Sequence, residues 1–460
     1  MDERAQLSVS LPHPSPTISY WQDPPSDLAD HRSTVHLPEL ADYVIVGSGI
    51  SGVSIAYNLL LQQPEASVVL LEARQTCSGA TGRNGGHTKA ASYRSFLDHE
   101  REYGLDEAIK IARLEHANIK LTHALARDYA IDCASVECDT VDVVYDQKQF
   151  DSGKQAIARM IQTMPGDPAA HYRIWDATDT HHYLYTPGAV GSFQYAAGSL
   201  SAYAFVIGML RLALSRGLNL QTRTSVTNLT KTDSDWTVTT PRGDITAAKV
   251  IIATNGYTAR LLPQMQGLIV PLHGQIVAQR PGLCLPVLPR TYSFIYKTGY
   301  EYMITRPPGT VGQGDIIIGG GIHKLPRSGA SRYGNTDDST LEPTITDYLR
   351  HCTKRCFSDK WGEDDTAGTK EWSGIMGATA DGLPYVGAVP DMQGIYISAG
   401  FNGHGMVLCL KLAEALVHMM NGDVPDWLPR SMLITKDRMQ VRFTGRKDLR
   451  APGEAQFGSR

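Results

Sequence analysis

Tyr43-Val44-Ile45-Val46-Gly47-Ser48-Gly49-Ile50-Ser51-Gly52 is the run whose reading decides the fold. Tyr43 to Val46 is a short apolar strand. It runs directly into G-x-G-x-x-G. A helical pattern follows, with Val53, Ala56, Leu59 and Leu60 on one face. Val68-Val69-Leu70-Leu71 then reads as a second buried strand that ends on Glu72, twenty residues past Gly52. Strand, glycine turn, helix, strand and acid in this order form the dinucleotide-binding fingerprint. Gly47 allows the tight turn, Gly49 leaves room for a pyrophosphate, and Gly52 lets helix and strand pack closely. The helix start offers free N–H groups and a partial positive charge to phosphates. Glu72 suits a ribose diol and disfavours a 2′-phosphate, which argues against NADP.

The same grammar recurs downstream. Cys77 to His87 is a run of small residues, with Gly79, Ala80, Thr81, Gly82, Arg83, Asn84, Gly85 and Gly86 in it. It reads as a second loop that lets backbone approach a ligand. Lys249 to Ala253 is a buried strand that ends in Thr254-Asn255-Gly256. Strand Ile395–Ser398 feeds Gly400-Phe401-Asn402-Gly403-His404-Gly405-Met406, which opens a helix from Val407 to Met420. That helix start suits an electron-rich carbonyl or a reduced flavin anion. From Leu268 to Gly321 the pattern alternates as in an antiparallel sheet, one wall of a pocket.

Other spans are plainer. Helices are expected over Leu105–Tyr129, Lys154–Met164, Ser201–Arg216 and Pro343–Cys356. Strands are expected over Val141–Tyr145, Leu218–Thr222, Ser225–Lys231 and Trp236–Thr240. His171–Tyr185 reads as irregular, and Pro326–Ser339 as a polar loop. Residues 1–38, rich in Pro, Ser and Asp, read as an extended lead-in that lies along the body.

At 460 residues the chain exceeds one core's usual reach of ~250–300 residues, so two joined domains are expected. With 42% hydrophobic and 20% charged residues the composition is that of an ordinary globular protein. The net charge of −4 implies neither nucleic acid nor an anionic membrane as partner. Seven cysteines, an odd number in a long chain, do not suggest a secreted disulfide framework. Cys352 and Cys356 lack a second pair of ligands, and adjacent His181-His182 do not share a helix face, so no metal is expected. There is no signal-like start, no apolar run of ~18 residues and no peroxisomal tripeptide. The expectation is a soluble cytoplasmic protein of undetermined oligomeric state.

These motifs, from Tyr20 to about Met420, resemble FAD-dependent oxidoreductases of the D-amino-acid oxidase superfamily. They are Gly47 to Gly52 with Glu72, the Ser78 to Gly86 loop, Ala253 to Gly256, Asp381-Gly382-Leu383-Pro384, and Gly400 to Gly405. Tyr20-Trp21 and Gly82 to Gly86 are similar to the γ-glutamylputrescine oxidase-like group. Gly400 to Gly405 is similar to monomeric sarcosine oxidase. The resemblance implies a mixed α/β fold: a Rossmann-like FAD-binding domain with a discontinuous substrate domain built on an antiparallel sheet. The expected division is 39–110, 190–267 and 366–430 for FAD, 111–189 and 268–365 for substrate, and 431–460 as a tail.

By the same resemblance, Gly47, Gly49, Ile50, Ser51 and Gly52 hold the pyrophosphate. Glu72, Ala73 and Arg74 serve the adenosine ribose, and Val226 meets the adenine. Gly79, Ala80, Thr81, Arg83, Asn84, Gly85, Gly86 and His87 run along the flavin, with Ala253, Thr254, Asn255 and Gly256 beside the turn. Asp381, Gly382, Gly400, Phe401, Asn402, Gly403, His404, Gly405 and Met406 surround the ribityl chain and pyrimidine edge. Candidate pocket groups are His87, Tyr302, Arg306 and His404. His87 is a candidate proton acceptor or else a hydrogen-bonded structural histidine; Arg306 contacts substrate or is a solvated strand end. Three departures stand out. Gly374 takes the place of the flavin-linking Cys of the sarcosine oxidase group, Val407 that of its substrate-binding Lys, and Ile317 that of its oxygen-assisting Lys. The implied reaction is oxidation of a C–N bond in an amine or amino acid, with oxygen or another acceptor. The alternatives are a tailoring oxidase of a secondary pathway and a non-catalytic flavin sensor.

Overall fold

The structure is a computed structural model that describes residues 1–365 and 368–445. The end of the expected tail, 446–460, lies outside the described residues. The first sheet runs Tyr385–Ala388, Ile395–Ala399, Gly243–Ile252, Leu40–Val46, Val68–Leu71 and Asn219–Gln221. The four central pairings along this path are parallel. A hairpin of Asn228–Lys231 and Trp236–Thr240 extends from the strand Gly243–Ile252. Val44, Ile45, Val250, Ile251, Leu70 and Leu71 are wholly buried, as strands covered on both faces must be. Helices Ile50–Gln62, Ala202–Leu214 and Cys409–Met420 pack together in one apolar cluster against it.

Register explains why this sheet builds a site. Val46 pairs with Leu71 on one side and Ile252 on the other, so three strands end level and hand over to Gly47, Glu72 and Ala253. Gly47 has φ +107° and its added Cβ would lie 2.7 Å from the Ala253 carbonyl oxygen. A Cβ on Gly52 would lie 1.9 Å from the Gly47 oxygen. Only glycine permits this meeting of helix start, turn and neighbouring strand.

The second sheet runs Lys370–Thr379, Ile269–Gln279, Ile316–Gly319, Tyr300–Thr305, Thr291–Ile295, Val136–Val144, Gly191–Ser199 and His87–Thr88, with Tyr172–Asp176 added on Gly191–Ser199. All its pairings are antiparallel except that of Thr291–Ile295 with Val136–Val144. Helix Pro343–Phe357 packs behind it.

Four readings of the sequence change. His171–Tyr185 is not irregular: it forms the strand Tyr172–Asp176 and the helix Ala177–Leu184, which Asp176 caps by accepting from Asp179 N. The helix expected from Lys154 starts at Gln147, capped by Asp146. Pro326–Ser339 contains short helical turns. Gly191–Ser199 and Lys370–Thr379, which the expected division gave to the FAD-binding part, pair into the second sheet. Their partners lie far off in sequence, so no local pattern announces them. Among the described residues, no helix is long and apolar enough to cross a membrane.

Gly52→Ala is expected to cost about 3 kcal/mol, the upper end of the overpacking range. Gly79→Ala, whose Cβ meets nothing within 4 Å, is expected to stay within about 0.5 kcal/mol of the parent. Thermal and denaturant unfolding of the two apoproteins checks this contrast.

Candidate cofactor and substrate site

One elongated cavity runs past the level ends of the three strands. Glu72, Ala73, Thr224 and Val226 line one part of it, and Gly47, Gly49, Ile50 and Ser51 the turn. Gly79, Ala80, Thr81 and Asn84 continue the lining, as do Ala253, Thr254 and Asn255. Tyr302, Gly274, Ile276, Gly374, Met376, Phe401, Gly403, Gly405 and Met406 line the part formed with the second sheet. Arg74 and Arg83 also reach it. Three small-residue turns, far apart in the chain, therefore converge.

Glu72 is held by its neighbours. Its Oε2 accepts from Ser48 N (3.0 Å) and Ser48 Oγ (2.7 Å), and its Oε1 from Arg74 N (2.9 Å). A carboxylate offers about four lone-pair positions, so capacity for a ribose hydroxyl remains. Ile50 N donates to Thr81 Oγ1, which ties the second loop to the helix start. A Cβ on Gly49 would come within 3.1 Å of Thr81 Oγ1, and one on Gly403 within 3.2 Å of Met376 Sδ. This is a cradle that side chains would fill, shaped for a long, thin ligand with a diphosphate. FAD fits it.

Some residues expected at the cofactor do not line the cavity; they have structural duties instead, which corrects the expectation for them. Gly52 abuts the Gly47 carbonyl and Gly256 the Met376 carbonyl. Gly400 has φ +79° and packs on Thr379. Asn402 accepts from Thr379 N and donates to Gly400 O. Asp381 pairs with Arg438 of the C-terminal segment (2.9 Å). Gly382 lies in the same turn, with φ +79° and open space around it. His404 Nδ1 lies 3.1 Å from Asn402 O. Gly85 makes room for Tyr302, whose ring would stand 2.6 Å from a Cβ there. Gly86 makes the same room for Ile304 and Trp21.

His87 departs from both readings given for it. Among the described residues neither ring nitrogen has a hydrogen-bond partner, unlike a bonded structural histidine. Burial, with the nearby Lys89 charge, pushes its pKa well below the usual value, so it is neutral rather than poised near pH 7. Its ring stands edge-on to Tyr302, centroids 5.8 Å apart. Arg306 is no solvated strand end. It is 8% exposed, lies against the Trp21 ring (5.1 Å) and donates weakly to Val311 O. Its Nη1 is buried without a partner.

The reading from sequence missed Asp338 altogether. It lies in the expected polar loop, 1% exposed. Arg74 grips it with two bonds of 3.0 Å, and Arg83 Nε lies 3.6 Å away. Arg83 also donates to Ser78 O, Ser373 O and Thr17 O. Burial and the Arg74 charge lower the Arg83 pKa to about 10, against the pull of Asp338, so it stays charged at neutral pH. Ser10, Leu11, Pro12, Tyr257, Arg260 and Leu261 also line the cavity without any signal in the motifs. Among the described residues no group of His, Cys, Asp or Glu is arranged to hold a metal, and all seven cysteines are free.

Comparison with known proteins agrees with this geometry. The family model described as FAD dependent oxidoreductase matches residues 42–419. A probable oxidoreductase, OrdL, of Rhizobium meliloti is 25% identical over 393 residues, 82% of each chain. The γ-glutamylputrescine oxidoreductase of Escherichia coli is 23% identical over 391 residues, 83% of this chain and 84% of that protein. Among solved structures, glycine oxidase of Geobacillus kaustophilus superposes with a TM-score of 0.70 at 21% identity, over 87% of this chain and 99% of that one.

Asp338→Asn is expected to destabilise the protein by about 3–5 kcal/mol, because it leaves two buried guanidinium groups without their countercharge. Denaturant unfolding measures it.

Proposed function

The chain belongs to the family of FAD-dependent oxidoreductases, and from that premise we propose that it oxidises a C–N bond of an amine or amino acid to an imine. The observation that carries this reading is the convergence of the three turns on one cavity that continues to Tyr302 and the antiparallel sheet. FAD, when bound there, would supply the acceptor for a hydride, which carries the two electrons of the oxidation.

The protein's part is to hold the donor, dry the site and manage a proton. Ile276, Met376, Phe401 and Met406 keep that part of the lining apolar. Tyr302 is the candidate that meets the substrate, and His87 positions it from behind as a neutral ring. Arg306 sits outside the lining beside Trp21. Among the described residues its Nη1 has no hydrogen-bond partner; from outside the lining it touches no donor in the cavity and acts by packing on Trp21. His404 serves as a structural group of the final glycine turn.

The departures noted from the sequence support a narrower reading. Gly374 has no side chain, and a Cβ there would begin 3.1 Å from Arg83 Cβ, so this position offers no flavin-linking thiol. Ile317 is wholly buried in the same apolar cluster as Ile276, Ile304 and Trp372; no lysine stands there to assist oxygen. FAD is therefore held without a bond at residue 374, and an acceptor other than oxygen is favoured.

Purified protein is expected to be yellow, and its colour to bleach anaerobically with members of an amine and amino-acid panel. Peroxide release in air then distinguishes oxygen from another acceptor. A bound flavin that no donor reduces would sink the catalytic reading. Arg306→Ala is expected to leave the preference between carboxylated and uncharged donors unchanged, within about twofold; steady-state kinetics on both classes decides it.

A further inference from the structure

Ser10, Leu11 and Pro12 line the same cavity as the glycine turn and Glu72. They stand well ahead of the first strand, yet they are fastened on every side. Gln266 Nε2 donates to Ala5 O (2.6 Å) and Leu7 O (3.0 Å). The Ser10 and Thr336 hydroxyls share a bond of 2.7 Å. Arg74 Nη1 donates to His13 O (3.0 Å), and Thr17 N to Asp338 O (2.8 Å). None of these bonds belongs to a sheet. Of these anchors Arg74 itself lines the cavity, so the lead-in is held against it there.

Arg260 lines the same cavity. It ends the short turn Asn255–Arg260 that follows the strand Gly243–Ile252. Three guanidinium groups line the cavity, those of Arg74, Arg83 and Arg260, against one carboxylate, that of Glu72. Arg74 and Arg83 share Asp338. The Arg260 side chain has no hydrogen-bonding or ion-pairing partner among the described residues. A half-buried guanidinium keeps part of its hydration and can still meet an anion in the cavity with charge-assisted hydrogen bonds. The diphosphate is the anionic part of FAD.

We propose that Arg260 is the countercharge to the cofactor's diphosphate, and that the strap of residues 10–12 closes this part of the site and slows cofactor release. The inference rests on the reading that the cavity holds FAD.

The test uses apoprotein of the full chain, with flavin fluorescence to follow FAD binding and release. Arg260→Ala is expected to weaken FAD binding about tenfold or more and to flatten its dependence on salt, with Arg260→Lys in between. Unchanged affinity and an unchanged salt slope overturn the countercharge role. For the strap, Ser10→Cys is combined with Thr336→Cys. The oxidised cross-link is expected to slow FAD release several-fold, and reduction to restore the parent rate; equal release rates in both forms overturn the clasp. Matched unfolding midpoints of the apoproteins show that the variants fold. Wild-type protein that takes up no FAD overturns the cofactor reading together with this inference. Wild-type protein that binds while the variants bind and release equally overturns this inference alone.

Discussion

The close approach of backbone at the end of the strand Leu40–Val46 is the constraint on which the rest is built. The start of helix Ile50–Gln62 presses on the Gly47 carbonyl, and Gly47 presses on Ala253. A methyl group at either glycine would part these elements. Because the three strands end level there, their turns open on one side. That opening is the cavity. Ligand sites in parallel sheets arise this way, from strand ends rather than from any one side chain.

A second constraint closes the molecule around the first. Asp338 is a buried charge shared by two arginines, and its backbone oxygen accepts from Thr17 N and Ser373 Oγ. Segments from across the chain meet there: the lead-in, the two cofactor loops that carry Arg74 and Arg83, the loop of Asp338, and the strand Lys370–Thr379. Buried ion pairs are poor sources of net stability, yet breaking one is costly. The junction is best understood as a device that fixes where these segments sit. It gives Arg74 and Arg83 a shared countercharge, which Arg260 lacks among the described residues.

The second sheet divides its labour by face. On Tyr300–Thr305, Tyr302 turns to the cavity, while Met303 packs in the cluster that includes helix Pro343–Phe357. Period-two alternation lets one strand serve a pocket and a core at once. Ile317 and Val407 are buried as well.

Residues 43–74 determined the nucleotide-binding unit by themselves, because strand, turn, helix and acid interact over short distances in the chain and each leaves a local pattern. The same holds for the small-residue loops at 79–86 and 400–405, and for the alternation of 268–321. Only the tertiary structure decided that Gly191–Ser199 and Lys370–Thr379 join the second sheet and that Asp381 pairs with Arg438. It alone left His87 neutral and without a hydrogen-bond partner among the described residues, buried Asp338 between two arginines, and placed Arg260 and Ser10–Pro12 at the cavity. Those outcomes depend on partners often hundreds of residues away and on the loss of water around each group. Neither separation nor burial is written in a window of neighbouring residues.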